Sequence, residues 1–243
     1  MSIAEKVIQA YFNYAYNPVY DFVATQPIRY QKIQRMCIDR LELQDGDTVL
    51  CVGVGTGNEI HHLLQANKNI NIVGIDLSEN ALKRAYNKAA SVSKEIVLRR
   101  MNAACLEFPS GSFDKILCIH LMDFVIDNEN ITREILRVLK CEGCFVITYP
   151  SYKEGLRLGL NLVRNHIHIS VNSGQSRISV VLKSLVRVPV GIIYLPLLLR
   201  PGKKSYTYSE LEEMMVSLGV DEYRIEEDVV YNDFIVSGKK MEG

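Results

Sequence analysis

Neither sign of charge dominates this sequence: 28 lysines and arginines are balanced by 28 aspartates and glutamates over 243 residues. A nucleic-acid-binding surface normally declares itself as a basic excess, so no such partner is expected. A second cysteine pair is also missing. Of the six cysteines only Cys141 and Cys144 form a C-x-x-C, and a structural zinc site needs four ligands at matching spacing. Cys51 and Cys118 lie inside apolar runs, where free cysteine behaves as a small hydrophobe. The expectation is a reduced, cytoplasmic protein with no metal site. The opening MSIAEKVIQAYFNY has no basic start followed by a long apolar core, so it does not read as a signal peptide. The most apolar stretch, 178–199, carries Lys183, Arg187, Pro189 and Pro196. The cost of placing those charges in hydrocarbon argues against a spanning helix. There is no internal repeat and no low-complexity tract.

What the chain does have is apolar content, 48% by composition, enough for the core of a single domain over 1–243. Residues 1–44 show helical spacing of apolar positions and hold Tyr11, Tyr14, Tyr16, Tyr20 and Tyr30. Pro18 and Pro27 divide them into short helices, read as an N-terminal lid. From Asp47 the texture changes. The runs TVLCVGV, NIVGID, EIVLRR, KILCIHL and CFVITYP alternate with helical stretches across 45–150, the rhythm of parallel β/α units. Residues 151–205 break it, as an inserted helical cap. Over 206–243 it resumes with a helix from Tyr208 to Leu218, Ser209 near its start and Gly219 as its stop. Two strands joined by a tight turn follow, expected to be antiparallel.

The chemistry gathers after the first strand. Gly53, Gly55 and Gly57 stand two apart between strand and helix, where backbone turns sharply or meets a ligand without a Cβ in the way. The next helix offers free N–H groups and a positive dipole end to a carboxylate or phosphate. The second strand ends in Asp76, 23 positions after Gly53. A carboxylate there can accept from both ribose hydroxyls and repels a 2′-phosphate. Ser78 is placed to cap the following helix. The dinucleotide fingerprint G-x-G-x-x-G is not met, since the third glycine comes one position early and Asn58 takes its place.

Glycines so spaced resemble motif I of the class I S-adenosylmethionine-dependent methyltransferases, in particular the small-molecule and lipid-quinone type that includes menaquinone-biosynthesis methyltransferases. The resemblance continues through NAACLEFPSGSFD, where Phe113 and Asp114 open a fourth strand, through REILRVLKCEGCFVIT, and through YTYSELEEMMVSLGV and YNDFIVSGKK. It covers about residues 45–149 and 206–240. It implies a Rossmann-like α/β fold with a mostly parallel seven-stranded sheet whose last strand is antiparallel, and S-adenosylmethionine as cofactor. Gly53, Gly55 and Gly57 would pass the methionine part and the ribose, Asp76 would hold the ribose hydroxyls, and Leu77 would pack on adenine. Asn102 and the Ala103 N–H would meet adenine, and His120 would face the methionine end. The chain departs from the family at Cys51, where an acid usually helps to hold the cofactor's amino group; Glu59 stands near enough in sequence to replace it. Asn102 replaces a usual aspartate, and Cys141-Glu142 a usual Pro-Gly.

The implied reaction is methyl transfer to a small, rather apolar acceptor such as a lipid, quinone, isoprenoid or secondary metabolite. A base is needed only if the acceptor must lose a proton; the candidates are His120, Tyr20 and His166, with His168 and Asp123 behind them. The lid and the cap are expected over the acceptor, with 178–199 open to a membrane surface or to a second copy in a homodimer. Two other readings remain at this point: an enzyme of the same fold catalysing another reaction, such as cyclisation, and a non-catalytic assembly module.

Overall fold

Strand-length apolar runs flanked by amphipathic stretches bury both faces of a sheet. In the computed structural model, which describes residues 28–66, 69–89, 96–151, 204–228 and 233–241, every such run forms a strand of one sheet. In chain order the elements are α1 (Ile28–Asp39), β1 (Thr48–Val52), α2 (Asn58–Gln65), β2 (Asn71–Asp76), α3 (Glu79–Ala89), β3 (Ile96–Arg100), β4 (Phe113–Cys118), α4 (Asn128–Val138), β5 (Leu139–Pro150), α5 (Tyr208–Ser217), β6 (Glu222–Glu227) and β7 (Asp233–Lys239). The strand order is β3-β2-β1-β4-β5-β7-β6. β7 alone runs opposite to the other six strands. This is the seven-stranded Rossmann-like arrangement that the sequence implied.

Strand alternation sorts the core into two layers. Leu50, Val52 and Phe145 face a cluster with Ile131 and Ile135 of α4 and Leu211 and Met215 of α5. Val49, Cys51 and Val146 face the other, with Ile33 and Cys37 of α1 and Ile60 and Leu63 of α2. Each fully buried aliphatic side chain contributes about 1.5–3 kcal/mol, so the central strands carry most of the stabilisation. The edge strands are exposed at several positions.

Local signals fix the helix ends. The Ser78 hydroxyl accepts from the Ala81 N–H at 3.2 Å, the cap expected of it. At α5 the cap is Thr207, in a reciprocal capping box with Glu210, where the sequence had drawn attention to Ser209. Gly219 ends that helix with φ of 72°. Before the main run of β5, Glu142 holds a left-handed φ of 60°, a conformation glycine takes without steric cost.

Two features position a site. Chain order reverses at β1, flanked by β2 and by β4, which opens a crevice at the carboxyl ends of those strands. Ser151 and Tyr206 form a parallel bridge, and the Tyr206 N–H donates to the Pro150 carbonyl at 2.8 Å. The described residues on either side of 152–203 therefore meet at one point, the carboxyl end of β5. The expectations for residues 1–27 and 152–203, including Tyr20, His166 and the stretch 178–199, lie outside the described residues. Among the described residues no helix is long and apolar enough to cross a membrane.

Candidate functional site

The three glycines of the first loop all have positive φ, but they serve different ends. A Cβ on Gly53 would stand 2.9 Å from Leu121 Cδ1, and one on Gly57 would stand 2.8 Å from Ala85 Cβ. Those two are demanded by packing within the protein. A Cβ on Gly55 meets nothing closer than the Gly53 carbonyl oxygen at 3.9 Å. Gly55 alone turns an open face to the crevice. The loop is tied to β2: the N–H groups of Gly53 and Val54 donate to the Ile75 carbonyl, each at 2.9 Å.

Asp76 ends β2 beside that open face. Its Oδ2 accepts from the Gly55 N–H at 2.9 Å and its Oδ1 from the Ser78 N–H at 2.8 Å. Burial raises its carboxyl pKa while these backbone bonds lower it, with a net rise. A carboxylate offers about four lone-pair sites, so both oxygens keep acceptor capacity for a ligand. Leu77 follows and is 54% exposed, an apolar surface next to the carboxylate. Across from it, Asn102 accepts from the Ala104 N–H through Oδ1 at 3.0 Å, and Ala103 is buried. Open backbone, a carboxylate and an exposed aliphatic side chain together suit a nucleoside with a tail.

The other flank is built from strand ends far apart in sequence. His120 follows β4 with a left-handed φ of 58°, unusual for a residue with a Cβ. Its N–H donates to the buried Thr148 hydroxyl at 2.7 Å. Its Nδ1 lies 3.4 Å from Asp123 Oδ2 and 3.0 Å from Asp233 Oδ2. Burial pushes the imidazole pKa down, but the two carboxylates outweigh it and raise it to about 10. At neutral pH the ring already holds its proton, which changes the role open to a residue singled out as a base. Asp233 is 2% exposed and opens β7 opposite Pro150. Sequence reading did not single it out; the available signal was an acid at the head of an apolar strand, since a buried polar group is the informative exception.

Cys51 is fully buried, and its thiol pKa is raised well above the usual range, first by burial and then by nearby Glu59. It behaves as core. Glu59, in the first turn of α2, is 8% exposed. The His120, Asp123 and Asp233 ligand atoms lie within 4.8 Å of one another, a spacing that could also hold a cation.

A family described as methyltransferase domain matches residues 50–147. The carboxy-S-adenosyl-L-methionine synthase of Nautilia profundicola is 24% identical over 200 residues, covering 81% of this chain and 80% of that protein. The phosphatidylethanolamine N-methyltransferase of Cereibacter sphaeroides is 36% identical over 104 residues, 42% of this chain and 50% of that protein. Among solved structures, the [4+2]-cyclase SpnF superposes with a TM-score of 0.66 at 15% identity, over 97% of this chain and 96% of that one. That likeness speaks for the fold. The chain spans about half the length of several curated relatives that it matches. Over residues 50–147 the chain is thus similar to S-adenosylmethionine-dependent methyltransferases, on the fold described above.

Proposed function

We propose that the chain transfers the methyl group of S-adenosylmethionine to a small, largely apolar acceptor lying over the carboxyl ends of β4 and β5 and the amino end of β7. The observation that carries this is the pairing of Gly55's open face with the Asp76 carboxylate, 2.9 Å apart at the switch point. When bound, the cofactor supplies a methyl group already activated on a sulfonium. The protein's main task is then to hold donor and acceptor in line, an effect that can contribute roughly 7–11 kcal/mol. Gly53, Gly55 and Gly57 shape the passage for ribose and methionine. Asp76 accepts from the ribose hydroxyls, Leu77 covers one adenine face, and Asn102 and Ala103 border the adenine edge.

On the acceptor side, the Asp123 and Asp233 carboxyl groups face the His120 ring and favour its protonated form. An acceptor N–H or O–H becomes more acidic as its heteroatom bonds to carbon. Asp233 or Asp123 takes that proton, and His120 holds the two carboxylates in place. Tyr20 and His166 remain alternative contributors from segments that flank the site in sequence. The apolar text of 178–199 and the common root of 152–203 at Ser151 and Tyr206 support a cover over an apolar acceptor. We assign the reaction to the cytoplasm, with 178–199 touching a membrane surface or a second copy.

The likeness to a cyclase keeps one other reaction class in the test. The protein is incubated with methyl-labelled cofactor and extracts enriched in lipids or quinones. Label entering an acceptor, with S-adenosylhomocysteine released, is the expected result. Product formation without label transfer, dependent on bound cofactor, would assign the fold to a rearrangement instead.

A further inference from the structure

The strand that should offer an acid to the cofactor's amino group offers Cys51, whose side chain is committed to the core. Glu59 is the acid near it. It stands two residues past Gly57, in the first turn of α2, where free N–H groups and the helix dipole favour a negative side chain. Its own backbone N–H donates to its carboxyl, yet burial pushes the carboxyl up to about 8. Cys51 on β1, Asp76 on β2, Lys88 on α3, Cys118 on β4 and His120 beyond β4 all lie near enough to act on it electrostatically.

Both cations in that ring, which act on Glu59 from a distance, also hold partners of their own. Lys88 Nζ donates to Asn58 Oδ1 at 2.8 Å and to Thr56 Oγ1 at 3.2 Å, bracing the start of α2 against α3. His120 is held by Asp123 and Asp233. A carboxylate so buried is stable in its charged form only with a cation beside it. The nucleoside seat at Gly55 and Asp76 fixes where a ligand's tail must run, past the first turn of α2 towards His120.

We propose that Glu59 binds the α-ammonium group of the cofactor's methionine moiety, supplying from the helix the charge that β1 lacks. This rests on the reading of the crevice as a seat for S-adenosylmethionine, and the test separates the two claims. Calorimetry compares S-adenosylhomocysteine with its analogue in which hydrogen replaces the α-amino group. The wild-type protein should prefer the amino-bearing ligand by about ten- to hundredfold, the range of a charge-assisted hydrogen bond. In Glu59→Gln that preference should fall to less than about threefold, while affinity for the deaminated analogue stays near wild type. Glu59→Asp, which keeps the charge, should retain part of the preference. Asp76→Ala should weaken both ligands alike. An undiminished preference in Glu59→Gln overturns the assignment. Wild-type binding of both ligands with equal affinity overturns it too and leaves the seat standing. Binding of neither removes seat and assignment together.

Discussion

The two flanks of the crevice are built by different means. On the donor flank, one loop and one strand end do most of the work: Gly53 to Glu59 are contiguous, and Asp76 closes on the same loop through the Gly55 N–H. The partner expected there is invariant, so backbone and a single carboxylate suffice. On the acceptor flank, His120 and Asp123 meet Asp233 from the other side of β5, and the Ser151–Tyr206 bridge forms at the same end of that strand. Side chains brought together only by folding can be exchanged without disturbing the donor seat. The contrast shows how one fold keeps its cofactor and changes its substrate.

The largest expected effect breaks the acceptor flank alone. Asp233→Asn should lower turnover about hundredfold, within the range of acid–base contributions, and leave cofactor affinity within about twofold. Steady-state kinetics with the acceptor found by the labelling experiment, together with calorimetry, measure both. Parallel losses would erase the distinction between flanks.

Within the donor loop the glycines sharpen the comparison. Gly57→Ala forces a Cβ to within 2.8 Å of Ala85 Cβ and 3.0 Å of Ala85 Cα, so it should cost about 1–3 kcal/mol of stability by overpacking, beyond the left-handed strain. Gly55→Ala meets open space and should cost only that strain, about 1–2 kcal/mol, while weakening cofactor binding about tenfold by crowding the ligand face, an order-of-magnitude expectation for a misfit methyl group. Denaturant unfolding and calorimetry on the two variants should give opposite rankings of stability and affinity. The same ranking by both methods would mean that no glycine is reserved for the ligand.

A separate effect is read against pH. His120 has a folded-state pKa of about 10 against an ordinary 6.5, so above pH 6.5 the folded protein binds the proton more tightly than the unfolded chain does. Its stabilising contribution is complete below about 6.5 and is lost as pH rises through 10. Stability of the wild type should therefore decline across that window more steeply than that of His120→Asn. Matching slopes would show that the carboxylates do not hold the ring charged.

Legibility in the sequence follows the same division. The sheet could be read because its strands are apolar on both faces and their ends carry glycines, a capping serine and Asp76 at fixed spacing. Glu59 could be noticed because it adjoins the loop. Asp233 showed only as an acid heading an apolar strand, because its partner stands 113 positions earlier and only the β5–β7 pairing brings them together. For the same reason His120 could be placed at its strand end, whereas its charge could not be assigned. The α5 cap, Thr207, was not singled out in the sequence; it closes a reciprocal box with Glu210.

Calorimetric titration of wild type and Asp76→Ala with S-adenosylhomocysteine tests the donor seat most directly. The seat predicts a single site in the wild type and a loss of about a hundredfold or more in the variant, two charge-assisted hydrogen bonds being removed, with cooperative unfolding retained. Equal affinity in both proteins, or tighter binding of a nicotinamide dinucleotide by the wild type, would contradict it.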